Sequence, residues 1–178
     1  MGRDLESLKK VTKAKFNRIT YDEALKILSK DGKKYEFGTD LGIKEEREIL
    51  KHFNNTPTFV THFPAHIKFF NMKRTHDGKH ALSVDLLLPK LGESVGGALR
   101  EENVEKVKQY LFDSKIGKFL KEKNINPDVT FGPYLSLFEQ EKAPLRGGFG
   151  IGFERFVGFL LGSTDILETI AFRTLQPK

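Results

Sequence analysis

No cysteine stands anywhere in the 178 residues, which excludes disulfides, thiolate metal sites and a cysteine nucleophile. Tryptophan is also missing and methionine occurs only twice, so the aromatic weight falls on 16 phenylalanines and the core is expected to be rich in Phe. No apolar run approaches the ~20 residues of a membrane helix, and the charged start from Met1 to Lys15 lacks the apolar block of a secretory signal. The cytoplasm is the default location, with no membrane partner. Low-complexity tracts, internal repeats and Pro/Gly/Ser linkers are absent too, so residues 1–178 read as a single domain, long enough to bury a core without a metal staple.

What is present is a surplus of cations, 30 Lys and Arg against 24 Asp and Glu, for a net charge of +6. Such a balance suits polyanions such as tRNA or ATP, but it is also an ordinary way to remain soluble, and no dense basic arm concentrates it. Thr20 and Glu23 form a capping signal ahead of a helix to Lys30, stopped by Asp31-Gly32. A second helix is expected from Lys44 to Phe53, with Ile43, Leu50 and Phe53 as its apolar stripe. Strands follow over Thr58 to Phe63, Lys68 to Lys73, His80 to Leu88 and Ser94 to Leu99, neighbours pairing antiparallel. Glu101 to Lys123 returns to helix with Gly117 as a potential break, and Asn124 to Pro133 reads as a loop. Tyr134 to Gln140 fits a short helix or a strand, Gly147 to Phe153 a strand, and Glu154 to Leu161 a helix so apolar all round that it should be buried. The sum is an α+β fold, an antiparallel β-sheet flanked by helices.

The segment richest in chemistry is Gly147-Gly148-Phe149-Gly150-Ile151-Gly152-Phe153-Glu154-Arg155. Period two puts Gly148, Gly150 and Gly152 on one face of a strand and Phe149, Ile151 and Phe153 on the other, toward the core. Glycine weakens a strand interior, so a side-chain-free face implies either a flat ligand such as a purine against the backbone or close packing of another element. Arg155 opens the following helix, where it needs an acid as internal partner or an anionic ligand. Glu154 fits a structural role equally well. Neither G-x-G-x-x-G nor G-K-[ST] is present. His62 with His66, and His76 with His80, have a spacing that would bind zinc on a helix, but both pairs lie in expected strand or turn regions, where the rings do not converge. No nucleophile elbow of a hydrolase is recognisable.

Gly148 to Arg155, continued by Phe156-Val157, resembles motif 3 of class II aminoacyl-tRNA synthetases in its aspartyl and asparaginyl form, with the motif spanning 147–162. Ser83-Val84-Asp85-Leu86-Leu87-Leu88-Pro89 and Gly92-Glu93-Ser94-Val95-Gly96-Gly97-Ala98-Leu99-Arg100-Glu101 are similar to the strand pair that holds Mg-ATP and the amino acid in that family. The likeness extends through Phe16-x-Arg18-Ile19-Thr20-Tyr21, Phe37-Gly38-x-Asp40-Leu41-Gly42 and Phe63-Pro64-x-x-Ile67-Lys68-x-Phe70-x-Met72-Lys73. The resemblance implies that Gly150 and Gly152 carry adenine, that Arg155 contacts ATP as the catalytic arginine, and that Asp85 and Glu93 bind Mg²⁺, Glu93 also serving the ATP site. It implies that Arg100 recognises the side chain of Asn or Asp. Parity puts Glu93, Val95 and Gly97 on one face and Arg100 on the face of Gly96, unless the Gly96-Gly97 pair makes a bulge. The chain differs from the family pattern at Leu145-Arg146, where a histidine is usual, at Leu135-Ser136-Leu137-Phe138, and at Phe172-Arg173-Thr174-Leu175.

Against that family the chain is expected to be the back part of the catalytic domain, an incomplete class II synthetase-like fold in which motifs 1 and 2 and the anticodon-binding domain are absent. The implied function is activation of Asn or Asp as an aminoacyl adenylate with ATP and Mg²⁺ as cofactors. tRNA would associate only weakly, and a complementary polypeptide would supply motifs 1 and 2. The isolated chain is expected not to charge tRNA. Asparagine synthesis through aspartyl adenylate and a non-catalytic paralogue or partner subunit are the rival readings.

Overall fold

Thr20 begins a helix in the way its spacing predicts. In the computed structural model, which describes residues 5–30, 33–138 and 144–172, its hydroxyl accepts the Glu23 N–H at 3.2 Å while the Glu23 carboxylate accepts the Thr20 N–H at 2.7 Å. The first elements are α1 (Leu5–Lys13), β1 (Asn17–Thr20), α2 (Tyr21–Leu28), α3 (Ile43–His52) and β2 (Thr58–Thr61). α2 and α3 bury Tyr21, Ala24, Leu25, Leu28, Ile49 and Leu50. The Tyr21 hydroxyl donates to the Thr39 carbonyl at 2.7 Å and accepts the Gly38 N–H at 3.1 Å, tying down the loop between these helices.

The remaining strands are β3 (Ser83–Leu88), β4 (Gly92–Leu99) and β5 (Gly147–Ile151), and the five lie in the order β1-β2-β3-β4-β5. β2 and β3 pair antiparallel, Thr58 opposite Leu87 and Thr61 opposite Val84. The all-antiparallel expectation fails at β1, which pairs parallel with β2 in the register Asn17 to Thr58. A parallel pair requires a crossover, and α2 with α3 supplies it. The sheet is therefore mixed.

Two compact units share the chain, one of Met1–Thr61, Val84–Gly96 and Phe149–Lys178, the other of His62–Ser83 and Gly97–Gly148. The second is built on α4 (Val104–Asp113), α5 (Lys115–Glu122) and α6 (Pro127–Leu135). Phe70, Val107, Leu111, Leu135 and Phe138 form its core, with Phe131 and Tyr134 edge-on to Phe70. Lys68 to Lys73 makes no strand, only a bridge between Met72 and Arg100, because Phe70 is drawn into this cluster. The helix break falls at Ser114, whose hydroxyl caps α5 through the Gly117 N–H at 3.0 Å. Gly117 is needed for closeness instead, since a Cβ there would lie 2.0 Å from the Leu111 carbonyl oxygen. The expected loop from Asn124 to Pro133 is largely α6, because Asn126 caps the Asp128 N–H and Pro127 fills the first helical position, where its missing N–H has no penalty. Ser136–Phe138 is a 3-10 turn. The Asp31-Gly32 stop, Gln140 and the Arg173-Thr174-Leu175 ending lie outside the described residues.

The last helix, α7 (Phe153–Leu161), corrects another expectation. Gly158 and Phe159 are buried, but Phe156, Leu160 and Leu161 are exposed. On β5, Phe149 and Ile151 also face outward rather than into a core, as does Phe153, with exposures of 74%, 56% and 70%. β5 is the last strand in the order, and among the described residues nothing buries these side chains.

Candidate active site

In the first unit β4 begins on Gly92, whose φ of +75° suits glycine. A Cβ at Gly92 would meet the Glu46 Oε2 at 2.0 Å and Ile43 Cδ1 at 2.7 Å. Glu46 comes from α3, where it shares the buried side with Ile49 and Leu50 and is only 8% exposed. Its Oε2 accepts the Glu93 N–H at 2.9 Å. The Glu93 carbonyl accepts a short hydrogen bond from Arg155 Nη1, and the same nitrogen lies 3.8 Å from the Glu93 carboxylate. Burial pushes the Glu46 carboxyl up to about 7; the Glu93 N–H opposes this, the Glu93 and Asp85 charges add to it, and Arg155 offsets part of it.

Asp85 is 6% exposed on β3. A Cβ built on Gly96 would sit 2.9 Å from Glu93 Oε1 and 3.6 Å from Asp85 Oδ1, so both carboxylates reach toward one point beside this glycine. Strict alternation would separate Glu93 from that side, and the bare Gly96 leaves room for its carboxylate to reach there. Two oxygen donors of this kind fit a Mg²⁺ ion, which needs only one or two protein carboxylates when phosphates and water complete its shell. Among the described residues no group of three or more His, Cys, Asp or Glu side chains has metal-holding geometry.

The three glycines of the motif differ in what they face. At Gly150 a Cβ would find nothing within 4 Å, leaving bare, open backbone. Gly152, whose N–H donates to the Ser94 carbonyl at 2.9 Å, is covered by the Arg155 stem, with Cβ at 3.5 Å. The Gly152 carbonyl accepts the Phe156 N–H at 2.8 Å and starts α7. Gly158 then lets α7 approach Leu91, 2.2 Å from where a Cβ would stand.

The second unit holds Arg100 and Gly148. Arg100 Nη1 donates to Asn71 Oδ1 at 3.0 Å, and its Nη2 and Nε would lie 3.5 and 3.7 Å from a Cβ on Gly148. The bare spot at Gly148 is thus filled by a guanidinium of the protein itself, and the expected continuous glycine face is open only at Gly150. Glu46 and Asn71 escaped the sequence reading. The signal for Glu46 was legible: it falls three residues after Ile43 and four before Leu50, a charge set into an apolar stripe. Asn71 carried no such mark.

A glycine-bare strand here leads into the helix that carries Arg155, beside the Asp85 and Glu93 carboxylates, which is the pattern implied by the resemblance to class II tRNA synthetases. The family model described as tRNA synthetases class II (D, K and N) matches residues 2–176, and the chain belongs to that family. Within it, the asparagine–tRNA ligase of Mycoplasma mycoides subsp. mycoides is 41% identical over 94% of this chain, and that of Microcystis aeruginosa is 35% identical over the same share. The asparaginyl-tRNA synthetase of Pyrococcus horikoshii, solved in complex with asparaginyl-adenylate, superposes with a TM-score of 0.78 at 36% identity over 94% of this chain. An aspartyl-tRNA synthetase from Entamoeba histolytica matches with a TM-score of 0.71 at 26% identity over 87% of this chain and 31% of its own. The chain spans 36% of the length of the Mycoplasma mycoides, Microcystis and Pyrococcus proteins.

Proposed function

We propose that residues 1–178 form the back part of a class II synthetase catalytic core of asparaginyl/aspartyl type, which binds ATP with Mg²⁺ and takes part in activating Asn as its adenylate. The observation that carries this is the open backbone at Gly150 ahead of an Arg155 pinned to Glu93, with the Asp85 and Glu93 carboxylates reaching toward one point. Asn is preferred to Asp because the relatives of highest identity described above are asparagine ligases. A cytoplasmic location accords with this role.

Each residue then has a physical task. The purine lies on the open backbone of Gly150, where a side chain would hold it off, and reaches toward Gly152, whose face the Arg155 stem lines. Arg155 spends one N–H group on the Glu93 carbonyl and turns the rest of its fork to ATP, whose negative charge suits a guanidinium. Asp85 and Glu93 hold Mg²⁺, which when bound neutralises phosphate charge. Arg100, in the second unit and oriented by Asn71, takes the side-chain oxygen of the amino acid. The exposed apolar residues of β5 and α7 support contact with a further polypeptide segment that would bury them, the place of motifs 1 and 2 in this reading.

Calorimetry with ATP, with and without Mg²⁺ and each amino acid, tests the proposal. Gly150→Val is expected to fold normally, since a Cβ there meets no protein atom within 4 Å, and to weaken ATP binding at least ~10-fold by displacing the base, about 1.4 kcal/mol. Unchanged affinity in a folded Gly150→Val variant removes the nucleotide from this strand.

A further inference from the structure

We propose that Glu46 is a positioning residue that sets Glu93 for a divalent cation and its nucleotide, an inference that rests on the ATP reading of the site. The peptide groups flanking the Glu93 side chain are gripped by two different helices. α3 supplies the Glu46 carboxylate to the Glu93 N–H at 2.9 Å, and α7 supplies Arg155 to the Glu93 carbonyl. Held at both groups, the backbone of residue 93 has one orientation, and its carboxylate reaches toward the point beside Gly96 that Asp85 also approaches. Gly92 completes the grip, because its left-handed backbone and missing side chain let the Glu46 oxygen close to 2.0 Å of where a Cβ would stand.

Packing alone does not call for an acid at this place. Glu46 lies 8% exposed beside Ile49 and Leu50, a setting in which an apolar side chain of similar volume stabilises a fold as well as or better than a charge. A carboxylate here is accounted for by the N–H it accepts and by the residue that N–H belongs to. Outer partners that orient metal-binding groups typically change metal affinity ~10- to 100-fold when removed.

The test compares wild type, Glu46→Met, which keeps the volume without the acceptor, and Glu46→Gln, which keeps the acceptor without the charge. ATP affinity is measured by calorimetry in Mg²⁺ and in EDTA. Glu46→Met is expected to lose ~10-fold or more of the Mg²⁺-dependent affinity while metal-free binding stays within about twofold, and Glu46→Gln to restore most of the loss. In a Glu93→Gln background Glu46→Met should have no further effect, because its route of action is gone. An equal loss with and without Mg²⁺, no loss, or a full additional loss in the Glu93→Gln background each overturns the proposal.

Should Glu46→Met fail to fold, Glu46→Asp, one methylene too short to reach the Glu93 N–H, reads the same loss; failure of both to fold assigns Glu46 to the fold and overturns the role. If wild type binds no ATP, the nucleotide reading fails separately, and Mn²⁺ broadening of backbone amide signals decides this one. Broadening centred on Asp85 and Glu93 in wild type and lost in the acceptor-less variant sustains it. Broadening absent from wild type, or retained in the variant, overturns it.

Discussion

Glu46 is held at about 7 against an ordinary 4.5, first because burial disfavours its charge and then because the Glu93 and Asp85 carboxylates face it; the Glu93 N–H and Arg155 oppose both. The folded state therefore binds more protons than the unfolded chain between those two values. By linkage the stabilisation is complete below about pH 4.5 and is lost as pH rises through about 7, and the difference is about 3 kcal/mol. Glu46→Gln removes this titration. Urea unfolding midpoints from pH 5 to 8 are expected to fall more steeply for wild type than for Glu46→Gln, the two curves separating in favour of the variant at neutral pH. Parallel curves would show that Glu46 titrates like an ordinary surface carboxylate. Arg155 belongs to the same scale: its Nη1 contact is to a backbone carbonyl, so Arg155→Lys, which keeps charge but loses the planar fork, should not substitute for it in ATP binding.

At the scale of elements, the α4–α5 corner and the β5–α7 pair make opposite demands. The corner is closed so tightly that a Cβ on Gly117 would lie 2.0 Å from the Leu111 carbonyl oxygen and 3.1 Å from Phe112 Cα. Backbone atoms cannot step aside as a flexible side chain can. Gly117→Ala is expected to destabilise the protein by about 1–3 kcal/mol despite the better helix propensity of alanine, read as a lower urea midpoint. β5 and α7 are loose in the other sense. Phe149 and Phe153 are 74% and 70% exposed, so replacing both by Ser should leave the midpoint within about 0.5 kcal/mol per site, where burial would make the loss 3–5 kcal/mol. The same double variant should bind less of an apolar dye such as ANS. Helix starts were readable from local pattern: Thr20 with Glu23 predicted α2. α6 was hidden by the same kind of residue, Asn126 and Pro127 serving as cap and first turn where they were expected to make a loop.

For the whole molecule, the chain corresponds to 36% of the length of its ligase relatives, and the apolar side chains left open on β5 and α7 show where further protein surface would be stabilising. The purified 178-residue chain is accordingly expected to bind Mg-ATP but to charge no tRNA by itself, since loss of even one group stabilising transition-state charge lowers rates ~10²-fold or more. An aminoacylation assay with Asn and tRNA checks this; charging by the chain alone, abolished in Arg155→Ala, would contradict it. With a net charge of +6, any residual tRNA association should weaken steeply between low and physiological salt, measurable by filter binding.

Sequence by itself determined the family, the motif from Gly147 to Gly162 and the residue types at Asp85, Glu93, Arg100 and Arg155, because these are chemical choices written at single positions. It also determined most local elements, whose signals lie within a few residues of one another. The tertiary structure alone decided that β1 runs parallel to β2, that the Arg100 guanidinium lies against Gly148, and that Phe149, Ile151 and Phe153 face outward. It alone brought Glu46, 47 residues away, to the Glu93 N–H. Alternation along a strand tells which side chains share a face but not which face is covered, since burial is a property of what packs against the strand and that partner is distant in the chain or outside it.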